Sequence, residues 1–169
     1  MLFRSLFGRL QLLSSVYMAF SHGSNDGQKT MGIISLALFT YGALGTHFYV
    51  PVWVMIASAA AMGVGTATGG WRIIRTMGFG LAELKPIDGF AAETAAGTVI
   101  EVATRLGMPI STTHAINGAI LGVGAIRARR AVKWDVAGRI VAAWILTFPA
   151  AFLLGWLLVT VAALVGFRG

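Results

Sequence analysis

Apolar residues come in long runs separated by short polar or basic connections, and these runs set the elements. The first, segment A, covers residues 10–43 and carries a polar stretch, SHGSNDGQKTMG, from Ser21 to Gly32. This places Asn25, Asp26, Gln28 and Lys29 between Leu10 to Phe20 and Met31 to Phe39, each too short to cross a bilayer alone. An unbroken helix over segment A would reach about 50 Å at ~1.5 Å per residue, against a hydrocarbon core of ~30 Å. A break or tilt at His22 to Asp26 is therefore expected. Ser24, Asn25 and Asp26 are N-cap residue types, so a second half-helix is expected to begin at Asn25 or Asp26.

Segment B, residues 51–71, opens on Pro51 at a first-turn position and runs apolar to the basic residues Arg72 and Arg75. Gly63, Gly65, Gly69 and Gly70 suit plain close packing of a neighbouring helix. After a connection at 72–87 come two moderately apolar helices, within 88–126, flanking Gly107-Met108-Pro109-Ile110. Basic residues lie beyond both outer ends, so the pair must either cross twice or dip into the membrane as a re-entrant hairpin. The tip reads PISTTH, and a hydroxyl-rich tip shaped by Pro109 suits non-helical backbone lining a cavity better than backbone facing lipid. Segment C, residues 134–165, is uniformly apolar and contains Pro149, which should kink it.

Composition decides the class. With 57% hydrophobic and only 11% charged residues, the chain departs from soluble domains, about a quarter of which is charged. This is the composition of a single all-α integral membrane domain. The net charge of +7 does not point to nucleic acid, because Arg4 and Arg9, Arg72, Arg75 and Lys85, and Arg127 to Lys133 sit between the apolar runs, as the positive-inside rule expects. The connection at 42–50 has no Lys or Arg and is expected outside. The topology is three transmembrane segments plus the hairpin, N-terminus in and C-terminus out. An odd unit duplicates into two copies of opposite orientation, so the chain reads as one half of an inverted-repeat transporter. Arg4, Arg9 and the triplet Ala19-Phe20-Ser21 imitate a signal peptide, but the apolar character resumes too soon after it. Cysteine is absent, which excludes disulfides and thiolate sites.

Ionisable residues at membrane depth mark substrate or ion pathways by default. Caps at Ser24-Asn25-Asp26 and at Ser111-Thr112-Thr113 would aim two helix N-termini, each an anion site, toward the membrane interior. The inferred substrate is a small oxyanion. Asp26 would repel it unless a cation or proton sits at Asp26 when the anion binds, which is the logic of symport; the plainer alternative has Asp26 capping its helix and pairing with Lys29. Lys29 either pairs with Asp26 or neutralises substrate. Glu93, Gly97, Glu101 and Arg105 share a helix face. Glu101 and Arg105 form a simple intrahelical pair, and Glu93 is a candidate either for an ion or proton role or for a polar contact between helices. No other metal site is expected. His22 and His114 with nearby serines invite a hydrolase reading, but neither G-x-S-x-G nor H-E-x-x-H is present, so no enzyme is expected. His47 belongs to the outer connection.

At these residues the chain resembles the PiT family of inorganic phosphate transporters. SHGSNDGQKTMG is similar to that family's Gly-x-Asn-Asp signature, GGWRIIRTMG at Gly69 to Gly78 to its following connection, and FAAETAAG with PISTTHAI to its hairpin. The match is to the family's C-terminal half. The resemblance implies symport of inorganic phosphate across the cytoplasmic membrane with Asn25, Asp26 and Ser111 to Thr113 at phosphate and the coupling ion. It implies no cofactor, and an N-terminal-half partner or oligomer in the lipid. The signature commonly continues NDVANA where this chain has NDGQKT. Lys29 stands where a second Asn would, which is similar to bacterial members regarded as proton-coupled carriers of phosphate, often as a divalent-metal complex. The coupling ion thus stays open between protons and sodium. A related sulfate permease and a non-transporting half-length scaffold are the alternatives.

Overall fold

Among residues 2–75, 84–127 and 132–166, which the computed structural model describes, the chain forms five α-helices. They are α1 (Leu2–Thr40), α2 (Val52–Arg75), α3 (Pro86–Arg105), α4 (Thr112–Arg127) and α5 (Trp134–Leu164). A helix lies over each of the expected apolar runs, with α1 beginning at Leu2 and ending at Thr40 where the run covers residues 10–43. The basic residues differ in setting: Arg4 and Arg9 lie inside α1, Arg72 and Arg75 in the end of α2 and Arg127 at the end of α4, so they flank the helices from within. Residues 76–83 of the expected 72–87 connection, and 128–131, lie outside the described residues.

The expected break in segment A is absent. α1 continues through His22 to Asp26 as one helix of 39 residues, so Asn25 and Asp26 are interior positions and not caps. The polar side chains there find partners on other helices, as described below, and the backbone ladder has no reason to open. α1 stops at Thr40 by a turn in which Gly42, at φ +82°, follows Tyr41. Ala43 N–H donates to the Leu38 carbonyl and Gly42 N–H to that of Phe39, the paired bonds of a Schellman stop. α2 starts one residue after Pro51, whose carbonyl accepts the N–H groups of Val54 and Met55.

The chain forms two units, Met1–Val132 and Lys133–Gly169. In the first, α1 and α3 run side by side in the same direction, with Phe7 edge-on to Phe90 at 6.1 Å near one end and Asn25 bonded to Thr104 at the other. Small residues make this crossing close. Gly89, Ala92, Ala96, Gly97 and Ala103 are the buried positions of α3, together with Ile100. A Cβ at Gly97 would stand 2.8 Å from Cε1 of Tyr17, so only glycine permits this approach. Among the described residues, Gly63, Gly65 and Gly69 of α2 serve no such contact, since a Cβ at each meets nothing within 4 Å. In the second unit, α5 runs through Pro149 as one helix, its Asp135 pairs with Arg139 at 3.2 Å, and Ala137 is its buried residue.

Burial is inverted relative to a soluble protein. On α1 Ser14, Ser21, Asn25 and Ser35 are buried while Leu12, Leu13, Val16 and Phe20 are each about two-thirds exposed. In water each such apolar side chain would forgo about 1.5–3 kcal/mol of burial; against hydrocarbon there is no such loss. Residues Val52–Trp71 and Trp134–Leu164 are long and apolar enough to cross a membrane.

Candidate functional site

The α3–α4 turn is built to meet α1. Gly107, at φ +69°, lets α3 end, and Met108 N–H donates to the Ala103 carbonyl while Gly107 N–H donates to that of Thr104. Met108, Pro109 and Ile110 then run without helix to Ser111, which caps α4 by accepting the His114 N–H on Oγ at 3.3 Å. The N-terminus of α4, expected at Ser111 to Thr113, is thus present, with Thr112 buried and Ser111 and Thr113 exposed.

Asp26 is the junction between α1 and this turn. Its Oδ1 lies 2.7 Å from Lys29 Nζ. Its Oδ2 accepts from Thr112 Oγ1 at 3.1 Å and lies 3.3 Å from His22 Nε2. Lys29 Nζ also donates to the Ile110 carbonyl at 2.6 Å. One residue earlier, Asn25 Nδ2 donates to Thr104 Oγ1 at 2.8 Å, and the Thr104 hydroxyl donates to the Ile100 carbonyl at 2.8 Å. Asn25 Oδ1 is buried without a hydrogen-bond partner among the described residues. Asn25, Gln28, Lys29 and Thr104, with Gly107, Met108 and Pro109, line an open cavity of about 200 Å³. A water needs about 10–15 Å³ of such volume, so a small oxyanion with water fits.

Of the residues singled out in the sequence, Asn25, Gln28 and Lys29 meet at this cavity, with Asp26 and Thr112 bonded beside it. Asp26 does pair with Lys29, and Glu101 with Arg105 at 2.8 Å. Glu93 lies elsewhere. It accepts a hydrogen bond from Ser14 Oγ across the α1–α3 crossing and, with His22, Gly23, Gly63 and Thr66, lines a second cavity of about 1230 Å³ between α1, α2 and α3. Thr104, Ser14 and the Ile110 carbonyl are partners the residue pattern did not single out. Ser14 and Thr104 carried a signal: Ser14, Ser21, Asn25 and Gln28 recur at seven, four and three residues, which places them on one helical face, and Thr104 faces that stripe.

The model of the family described as "Phosphate transporter family" matches residues 3–155. A "Probable low-affinity inorganic phosphate transporter" of Rhizobium meliloti is 52% identical over 161 residues, 95% of this chain and 48% of the relative. Proteins of the same description from Mycobacterium tuberculosis and Bacillus subtilis are 48% and 40% identical over 88% of the chain, covering 36% and 45% of their own lengths. The chain thus spans about half the length of these curated relatives or less. No solved structure matches.

Proposed function

The chain belongs to the phosphate transporter family, and on that premise we propose that it is one half of a symporter moving inorganic phosphate across the cytoplasmic membrane. As a member of a transporter family it is an integral membrane protein and not an enzyme. The single observation that carries the reading is the locked set Lys29, Asp26, Thr112 and the Ile110 carbonyl beside the 200 Å³ cavity. An arriving phosphate draws the Lys29 ammonium and the α4 N-terminus, whose first N–H groups have no intrahelical acceptor. Asp26 then loses its counter-charge and needs a cation, a proton or sodium, which couples the two species.

The hairpin dips into the membrane and returns. Its support is that Ile110 meets α1 at Lys29, leaving α1 another eleven residues, about 16 Å, beyond the tip before Thr40. The second half of the site comes from an inverted N-terminal-half partner, in keeping with the half-length match, with the N-terminus of this chain inside and its C-terminus outside. Phosphate crosses free or as a divalent-metal complex, and no cofactor takes part.

The test is phosphate uptake into proteoliposomes by this chain with its complementing half, and phosphate-dependent thermal stabilisation. Saturation at 100 times Kd adds about 2.7 kcal/mol to stability. Asp26→Asn keeps an acceptor for Thr112 and should abolish coupled uptake with the fold intact. Normal uptake by that variant would defeat the role given to Asp26, and no stabilisation of the assembled protein by phosphate would leave a membrane scaffold.

A further inference from the structure

We propose that the Lys29 ammonium is a tethered cation, standing where a free monovalent metal ion would otherwise be held by Asp26 and the Ile110 carbonyl. The inference deepens the reading of the phosphate site, but its test does not depend on phosphate.

Lys29 Nζ lies 2.7 Å from a carboxylate oxygen and 2.6 Å from a backbone carbonyl oxygen. A carboxylate and a carbonyl freed from helix are the hard oxygen donors that transporters present to small cations. Ile110 lies in the non-helical stretch between α3 and α4, so its carbonyl is free to accept from outside a helix ladder. The other oxygen of Asp26 is engaged by Thr112 and His22, which leaves Oδ1 to the ammonium.

Charge sets the valence. Asp26 supplies one negative charge and Lys29 one positive charge, so removing the ammonium leaves a deficit that one monovalent ion fills. The groups facing the pair are His22 on α1 and Thr112 on α4, and Glu93 of α3 belongs to the other cavity. Space is present as well, since Lys29 lines the 200 Å³ cavity and truncating it enlarges that volume at the two oxygens. With the lysine in place, a bound alkali ion is redundant at this position.

The experiment is thermal unfolding of the chain in lipid nanodiscs in sodium, potassium, lithium or choline chloride at one ionic strength. The unaltered chain should melt at the same temperature in all four. Lys29→Ala should gain saturable stabilisation by one alkali ion over choline, with a rise of at least about 4 °C. Lys29→Gln keeps a donor for Ile110 without the charge and guards against misfolding of the alanine variant; it should shift in the same direction. Asp26→Asn added to Lys29→Ala should erase the gain. Folded Lys29→Ala and Lys29→Gln that do not distinguish alkali ions from choline would overturn the proposal. So would a gain that survives Asp26→Asn, or an equal alkali effect on the unaltered chain. Phosphate titrated into the same samples is a separate arm, whose failure counts against the phosphate reading alone.

Discussion

Asn25 and Thr104 are joined by a hydrogen bond whose direction is fixed. Thr104 spends its only hydroxyl proton on the Ile100 carbonyl at 2.8 Å, so it can only accept from Asn25. Asn25 must therefore turn its amide nitrogen toward α3, which makes its oxygen the atom without a partner. The buried amide thus ties α1 to the end of α3, and its oxygen is left buried without a partner among the described residues.

Thr104→Val keeps the shape of the side chain and removes the acceptor. The buried Asn25 amide is then left unpaired, at a cost of about 1–3 kcal/mol. Thermal unfolding in nanodiscs should show that loss, and phosphate should bind more weakly because the amide is free to rotate. Unchanged stability and affinity would mean that the bond does not hold Asn25.

The five helices, the α3–α4 turn and the Asp26–Lys29 pair were legible in the sequence because each follows from local pattern. Apolar runs mark helices, Gly107-Met108-Pro109 stops one, and a spacing of three brings opposite charges together on a helix. The continuity of α1 was not legible. Ser24, Asn25 and Asp26 are strong local cap signals, and partners 79 and 86 residues away, Thr104 for Asn25 and Thr112 for Asp26, satisfy two of these side chains from inside a helix. The fate of the α2 glycines was hidden for a related reason: a small residue permits close approach, but only the fold shows whether a neighbour arrives.

At the α1–α3 crossing, Gly97→Ala should be more damaging than Gly89→Ala. The new Cβ at 97 presses on two ring carbons of Tyr17 with the Met18 backbone behind, whereas at 89 it meets the flexible end of Gln11. Overpacking of the first kind costs about 1–3 kcal/mol. Melting temperatures should separate the two variants, and Tyr17→Ala should rescue Gly97→Ala in part.

Glu93 and Ser14 separate an ion role from a structural one. If Glu93 carries a coupling ion, Glu93→Gln should stop net uptake while phosphate affinity stays within about threefold, roughly 0.7 kcal/mol, because Glu93 lines a different cavity from Lys29. Ser14→Ala removes the hydrogen bond between helices together with the hydroxyl's contact to the Gln11 carbonyl on α1 and should leave uptake near normal. Equal loss of stability and uptake in both variants would assign Glu93 to packing.

Phosphate and sulfate should be distinguished at this site, and the reason lies in proton count. Sulfate at neutral pH offers only acceptors, while inorganic phosphate retains at least one O–H that can donate to the Ile110 carbonyl once the Lys29 ammonium turns to the anion. A site with an acceptor for a ligand hydroxyl penalises an analogue that lacks it, because the acceptor stays unpaired. A penalty of about 1.4 kcal/mol is tenfold in affinity. The midpoint for thermal stabilisation by sulfate should therefore lie at least about tenfold above that for phosphate. Arsenate, which carries the same O–H, should fall close to phosphate. Equal midpoints for sulfate and phosphate would remove the Ile110 carbonyl from substrate choice and favour a general oxyanion permease.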